Sequence, residues 1–115
     1  MTTNPTAVDR AVLQELQAGT DSDFVRELID TFLTEAPQMI ADLRGARVAG
    51  NAEVFRRSAH SLKSNSLTFG ANALGEMARE LEHGGLGHAG DGAALDALAE
   101  EYARVAAALG ELRNA

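Results

Sequence analysis

The sequence predicts an all-α chain: an up-and-down four-helix bundle preceded by a short additional N-terminal helix. Three observations predict it. Apolar residues recur at helical spacings of three and four, and no segment shows the apolar–polar alternation of a strand. Glycines punctuate that pattern at Gly19, Gly50, Gly70 and the run Gly84-Gly85-Leu86-Gly87-His88-Ala89-Gly90, so most connections are short. A chain of 115 residues, 45% hydrophobic, can build one core and not two, so residues 1–115 form a single domain.

The first few residues, Met1-Thr2-Thr3-Asn4-Pro5-Thr6, are expected to be disordered; they show neither a basic region nor an apolar run, so no signal peptide or anchor is visible. A short helix from about Val8 to Ala18 stops at Gly19. Asp21 or Ser22 caps the second helix, which carries Phe24, Leu28, Phe32, Met39, Ile40 and Leu43 and runs to Gly50. Pro37 lies inside it without an N–H to donate, which predicts a kink or a brief break. Asn51 caps the third helix and Gly70 ends it. The fourth, about Ala71 to His83, carries Leu74, Met77, Ala78 and Leu81. Residues 84–90 hold four glycines and read as a loop. Asp91 caps the last helix, where Leu95, Leu98, Tyr102, Val105, Leu109 and Leu112 form a seam.

Composition narrows the function classes. A formal net charge of -7 argues against nucleic acid or an anionic membrane as partner. There is no cysteine, hence no disulfide and no thiolate metal site. No stretch reaches the length of a transmembrane helix, and a cytoplasmic protein is expected. His83 and His88 flank the glycine run, but a flexible loop pre-organises ligands poorly, so no metal site is assigned to them. No phosphate-binding glycine loop, kinase residue set or catalytic Ser/Cys arrangement is present.

The segment Ala59-His60-Ser61-Leu62-Lys63-Ser64-Asn65-Ser66-Leu67-Thr68-Phe69-Gly70-Ala71 carries the chemistry. On a helical wheel Phe55, Ala59, Leu62, Ser66 and Phe69 share the core side, and His60 points about 140° away, toward solvent. Residues three and four ahead share its face, so Lys63 stands beside the imidazole and small Ser64 leaves the approach open. Lys63 can donate to an oxyanion on the ring nitrogen. Leu67 adds an apolar point on the same exposed side. If the third and fourth helices form a hairpin turning at Gly70-Ala71, His60 is level with Glu82. A carboxylate there would accept from Nδ1–H and leave Nε2 as the nucleophile. Taken singly, each residue also reads as an ordinary surface group: a solvated histidine, a solubilising lysine, a surface glutamate.

Taken together, the segment closely resembles the histidine phosphotransfer (HPt) domains of bacterial phosphorelays, also found as the phosphate-accepting module of chemotaxis kinases. Their pattern, His-x-Leu-Lys-[Gly/Ser]-x-[Ser/Ala]-x-x-x-Gly-[Ala/Ser], is matched by His60, Leu62, Lys63, Ser64, Ser66, Gly70 and Ala71. Phe24 to Pro37 and Met77 to Glu82 resemble the flanking helices, so the likeness spans nearly the whole chain. The resemblance implies that His60 is the phosphoacceptor, that Lys63 contacts the phosphoryl group, and that Ser64 keeps the approach open. The family commonly places Gln or Glu, hydrogen-bonded to the histidine, where Glu82 stands. Ser64 departs from the more frequent glycine but is an accepted variant.

The resemblance further implies a phosphocarrier with no autonomous catalytic activity and no intrinsic cofactor, Mg²⁺ residing on the partner. The partners are response-regulator receiver domains, a hybrid histidine kinase, or both, and the chain is expected to act as a monomer. Two alternatives remain: an interaction module that regulates a kinase or receiver without carrying phosphate, and a detached substrate module of a chemotaxis-type kinase. For docking, the sequence points to Leu67 together with Val25 and Ile29. On the second helix Phe24, Leu28 and Phe32 are read as core, Val25, Ile29 and Leu33 as an adjoining apolar arc, partly covered by Val12, Leu13 and Leu16.

Overall fold

The computed structural model describes residues 7–19 and 21–114. Its five helices are α1 (Arg10–Ala18), α2 (Ser22–Ala49), α3 (Ala52–Thr68), α4 (Asn72–Ala89) and α5 (Ala93–Asn114), with no strand among the described residues. The disorder expected for the first few residues lies outside this range.

Side-chain caps set the starts. Asp9, Asp21 and Asn51 accept from the backbone N–H of Ala11, Phe24 and Val54 at 2.9, 2.8 and 3.1 Å. Asp91 does the same for Ala93 at 3.0 Å. Each satisfies a donor that a helix start leaves without a partner. Because Asp9 is a cap, α1 begins at Arg10, later than the periodicity predicts.

The helices α2 to α5 run up and down, each packing on its neighbours in sequence, and α5 closes the bundle against α2. Arg44 meets Asp96 at 2.9 Å near one end of that closing pair, and Arg113 grips Asp30 near the other, so α2 and α5 are antiparallel. The core is a single cluster to which every helix contributes, with Phe55, Leu62, Leu74, Leu81, Leu95, Leu98, Val105 and Leu109 fully enclosed.

Three expectations about the elements change. The first is the phase of α2. Val25 and Ile29 are buried, at 3% and 1% exposure, whereas Phe24 is 46% exposed. The buried stripe continues through Phe32, Ala36, Ile40, Leu43 and Ala46. A long helix takes its orientation from its longest apolar row, and Phe24 lies about 110° from the centre of that row.

The second is Pro37, which does not break α2; the helix is continuous from Ser22 to Ala49. The missing Pro37 N–H leaves the carbonyl of Leu33 without its helical donor. Tyr102 on α5 supplies one: its hydroxyl donates to Leu33 O in a long hydrogen bond of 3.4 Å. The same ring packs against Phe32, centroids 5.9 Å apart.

The third is the glycine run. Rather than forming a loop over 84–90, the chain stays helical to Ala89 and breaks only at Gly85, where φ is 66° and ψ is -156°. A left-handed φ of this kind costs glycine little. Leu86 is half-buried and Ala89 buried, so apolar burial holds the final turn despite poor helix propensity.

Gly70 determines the turn that matters most. Its φ is 73°, and a Cβ there would lie 2.9 Å from both Asp9 O and Val12 Cβ. The N–H of Asp9 donates to Gly70 O at 2.8 Å, so the start of α1 is fastened to the α3–α4 turn.

Candidate functional site

The core stripe of α3 fixes where its other residues point. Phe55, Ala59, Leu62 and Ser66 are fully buried and Phe69 is 3% exposed. Ser66 resolves its buried hydroxyl by donating to Leu62 O at 2.7 Å. With that stripe inward, the His60 side chain stands outward and is 58% exposed.

The α3–α4 hairpin supplies the second helix of the site. Close packing marks its upper half: Leu67 lies over Gly75, where an added Cβ would come 2.8 Å from Leu67 Cδ2. Further down, Glu82 Oε2 lies 2.8 Å from His60 Nδ1 and Glu82 Oε1 lies 3.0 Å from Lys63 Nζ. The carboxylate is only 14% exposed and the Lys63 side chain 22%. Oε1 is withdrawn from solvent and meets the ammonium as an ion pair without an aligned hydrogen bond.

This geometry determines the protonation pattern. Lys63, and to a lesser degree His60, hold the Glu82 carboxyl below its usual range, against the opposing effect of burial. An ionised carboxylate can only accept, so Nδ1 carries the ring proton. In the neutral ring with Nδ1–H on Glu82, the lone pair is on Nε2, and exposed Ser64, four residues on, puts no bulky neighbour beside it.

The structure therefore brings together His60, Lys63 and Glu82, with Ser64 open beside them. Leu67 is 47% exposed on the same face. Val25 and Ile29 do not join it: they lie in the core, because α2 turns its longest apolar row inward. Sequence reasoning directed Lys63 at an incoming phosphoryl group and missed its pairing with Glu82. The signal was present: Lys63 is one turn past His60, so a carboxylate that reaches one can reach the other. Among the described residues, no three His, Asp or Glu side chains gather as a metal-binding group. No helix in that range is long and apolar enough to cross a membrane.

Fold and site together define a class. Residues 27–108 match the Hpt domain family, and the chain belongs to it. The crystal structure of histidine-containing phosphotransfer protein B from Pseudomonas aeruginosa PAO1 is similar to this chain, with a TM-score of 0.88 and 29% sequence identity over 96% of this chain and 97% of that one. No curated protein matches the sequence. The family and this likeness support a histidine phosphotransfer role in a phosphorelay. Hpt proteins are phosphocarriers that work with receiver domains and histidine kinases in two-component systems.

Proposed function

We propose that this chain is a phosphorelay intermediate in which His60 accepts a phosphoryl group from a receiver-domain aspartate, or from a histidine kinase, and passes it to another receiver. The observation that carries the reading is the 2.8 Å contact between Nδ1 and Glu82 on a ring whose other edge is open. The Nε2 lone pair forms the N–P bond as the aspartyl O–P bond breaks, and the electron pair leaves on the aspartate carboxylate. Nδ1 keeps its proton, so the phosphorylated ring is a cation facing the Glu82 carboxylate. That carboxylate steadies the charge without quenching it, which leaves the N–P bond labile for onward transfer. Lys63 offers three N–H donors, so its ammonium can stay ion-paired with Glu82 while an N–H turns to the phosphoryl oxygens.

In this reading the chain supplies a positioned nucleophile and a docking face and does not turn over alone. The divalent metal that offsets charge on the transferring group belongs to the receiver, and exchange takes place in the cytoplasm. The test is incubation with phosphorylated receiver domains, followed by mass-spectrometric mapping of the modification. An acid-labile phosphate on His60 is the expected result. Phosphate on another residue, or tight binding with no transfer, would replace this reading with that of a binding module.

A further inference from the structure

The cations of this acidic chain are mostly occupied. Arg26, Arg44, Lys63, Arg79, Arg104 and Arg113 sit in ion pairs, and Arg47 donates to Gly90 O at 3.2 Å. Among the described residues, Arg56 and Arg57 are two that have neither an ion pair nor a side-chain hydrogen bond, Arg10 being the third. Both are exposed, and both lie one turn before His60 on α3. Glu53 stands a turn earlier still, at a spacing that permits pairing, yet no contact within 4 Å forms.

The neighbouring helices explain why these two remain open. The His60–Glu82 contact sets the α3–α4 register, which puts Arg57 level with the break at Gly85 and Arg56 level with Leu86. The contact of Phe32 with Phe69, centroids 5.3 Å apart, sets the α2–α3 register and puts Arg56 level with Gly45. No carboxylate faces them from either side at that height. Two uncompensated charges thus flank the nucleophile of a chain whose net charge is -7.

We infer that Arg56 and Arg57 are an electrostatic guide that draws an acidic, phosphoaspartate-bearing receiver face onto the His60 side of α3; this rests on the phosphotransfer reading above. A protein face that carries an aspartyl phosphate, together with the carboxylates that retain its divalent metal, is anionic. At long range this chain repels such a face. Near contact, the local field of the two guanidinium groups reverses the sign and selects the orientation in which the phosphoryl group meets His60. Arg56 and Arg57 are then determinants of encounter, and the chemistry stays with the ring.

The experiment compares the wild-type chain with R56Q/R57Q and with R56E/R57E, each checked by circular dichroism. The phosphodonors are a panel of receiver domains charged with acetyl phosphate, and transfer is followed from low to high salt. At low salt the second-order rate constant is expected to fall about ten-fold on neutralisation and further on reversal, with a flattened and then inverted salt dependence. Phosphoramidate is the second donor. Here the P–N bond breaks, ammonia leaves and the Nε2–P bond forms with no protein face involved, so all three chains should label alike. Equal transfer from receivers at every salt concentration overturns the guide and leaves the phosphotransfer reading standing. Slower labelling by phosphoramidate in the variants also overturns it, because the arginines would then act on the phosphoryl group itself. A wild-type chain that takes phosphate from neither donor overturns both.

Discussion

Two carboxylates in this bundle are held below their ordinary range by a cation, and they do different work. Asp30 accepts on its two oxygens from Nε and Nη2 along one edge of the Arg113 guanidinium, and Glu82 is held by Lys63 and His60. The first pair joins α2 to α5 in the open, with side chains 39% and 48% exposed. Both of its members keep their charge at any working pH, so the contact fixes helix position and little else. Glu82 is mostly withdrawn from water, and one of its partners is an exposed ring with a second nitrogen to spare. The comparison teaches that an ion pair becomes part of a site when it leaves an unused, accessible atom on one partner.

The strongest break in the comparison is H60Q, which removes that atom. Phosphoryl acceptance should disappear, while stability shifts by about 0.5 kcal/mol or less because an outward side chain leaves no cavity. Labelling with a phosphorylated receiver and a thermal melt give the two readouts. Next comes S64R, which keeps the ring and its carboxylate but fills the approach one turn along. Transfer from a receiver should fall steeply, whereas labelling by phosphoramidate persists. Unimpeded receiver transfer would mean that the partner does not dock over this face.

Changes at Glu82 should have intermediate effects. E82A is expected to slow acceptance about ten-fold, as loss of a ring-orienting partner does at other histidine sites. E82Q should recover part of that loss, since an amide oxygen still accepts from Nδ1–H. Stability carries the matching signature. Because the folded-state value of Glu82 is depressed, its contribution is complete above the ordinary value of 4.5 and is lost as pH falls through the lower, folded value. Acid denaturation curves of E82Q should therefore be shallower below pH 4.5 than those of the wild type. K63A should slow transfer several-fold and move the Glu82 titration upward toward its usual range, which a carboxyl-detected NMR titration would show. The smallest effect on phosphotransfer should come from D30A: a lower melting midpoint, with labelling at wild-type rate. A D30A chain that lost phosphoryl acceptance would erase the distinction between the two pairs.

The α3 face was legible because its core stripe is unambiguous: Phe55, Ala59, Leu62 and Ser66 leave His60 one direction to point. The position of Glu82 followed from one turn residue, since Gly70 sets the hairpin register on which everything level with His60 depends. The phase of α2 was obscured by two adjoining apolar arcs, and only the longer row, continuing through Ala36 and Ile40, shows which one turns inward. Glycine content misled at residues 84–90, where burial of Leu86 and Ala89 outweighs propensity. A break at Pro37 does not form, and the group that answers its missing donor, Tyr102, lies on another helix far along the sequence. The Lys63–Glu82 pair required two facts at once, the helical spacing and the cross-hairpin reach.

Tyr102 also equips the molecule for these measurements. It is the sole tyrosine, and the chain has no tryptophan. Its emission under ultraviolet excitation therefore originates at one place, the seam where its ring packs on Phe32 and its hydroxyl meets Leu33 O. Burial raises its phenol above the ordinary value of 10.0, so alkaline ionisation of the ring marks the opening of that seam. The proposed site of phosphoryl chemistry lies between α3 and α4 while the fluorophore sits between α2 and α5. A variant that misfolds and a variant that merely cannot accept phosphate thus give different signals in the same cuvette, without an attached label.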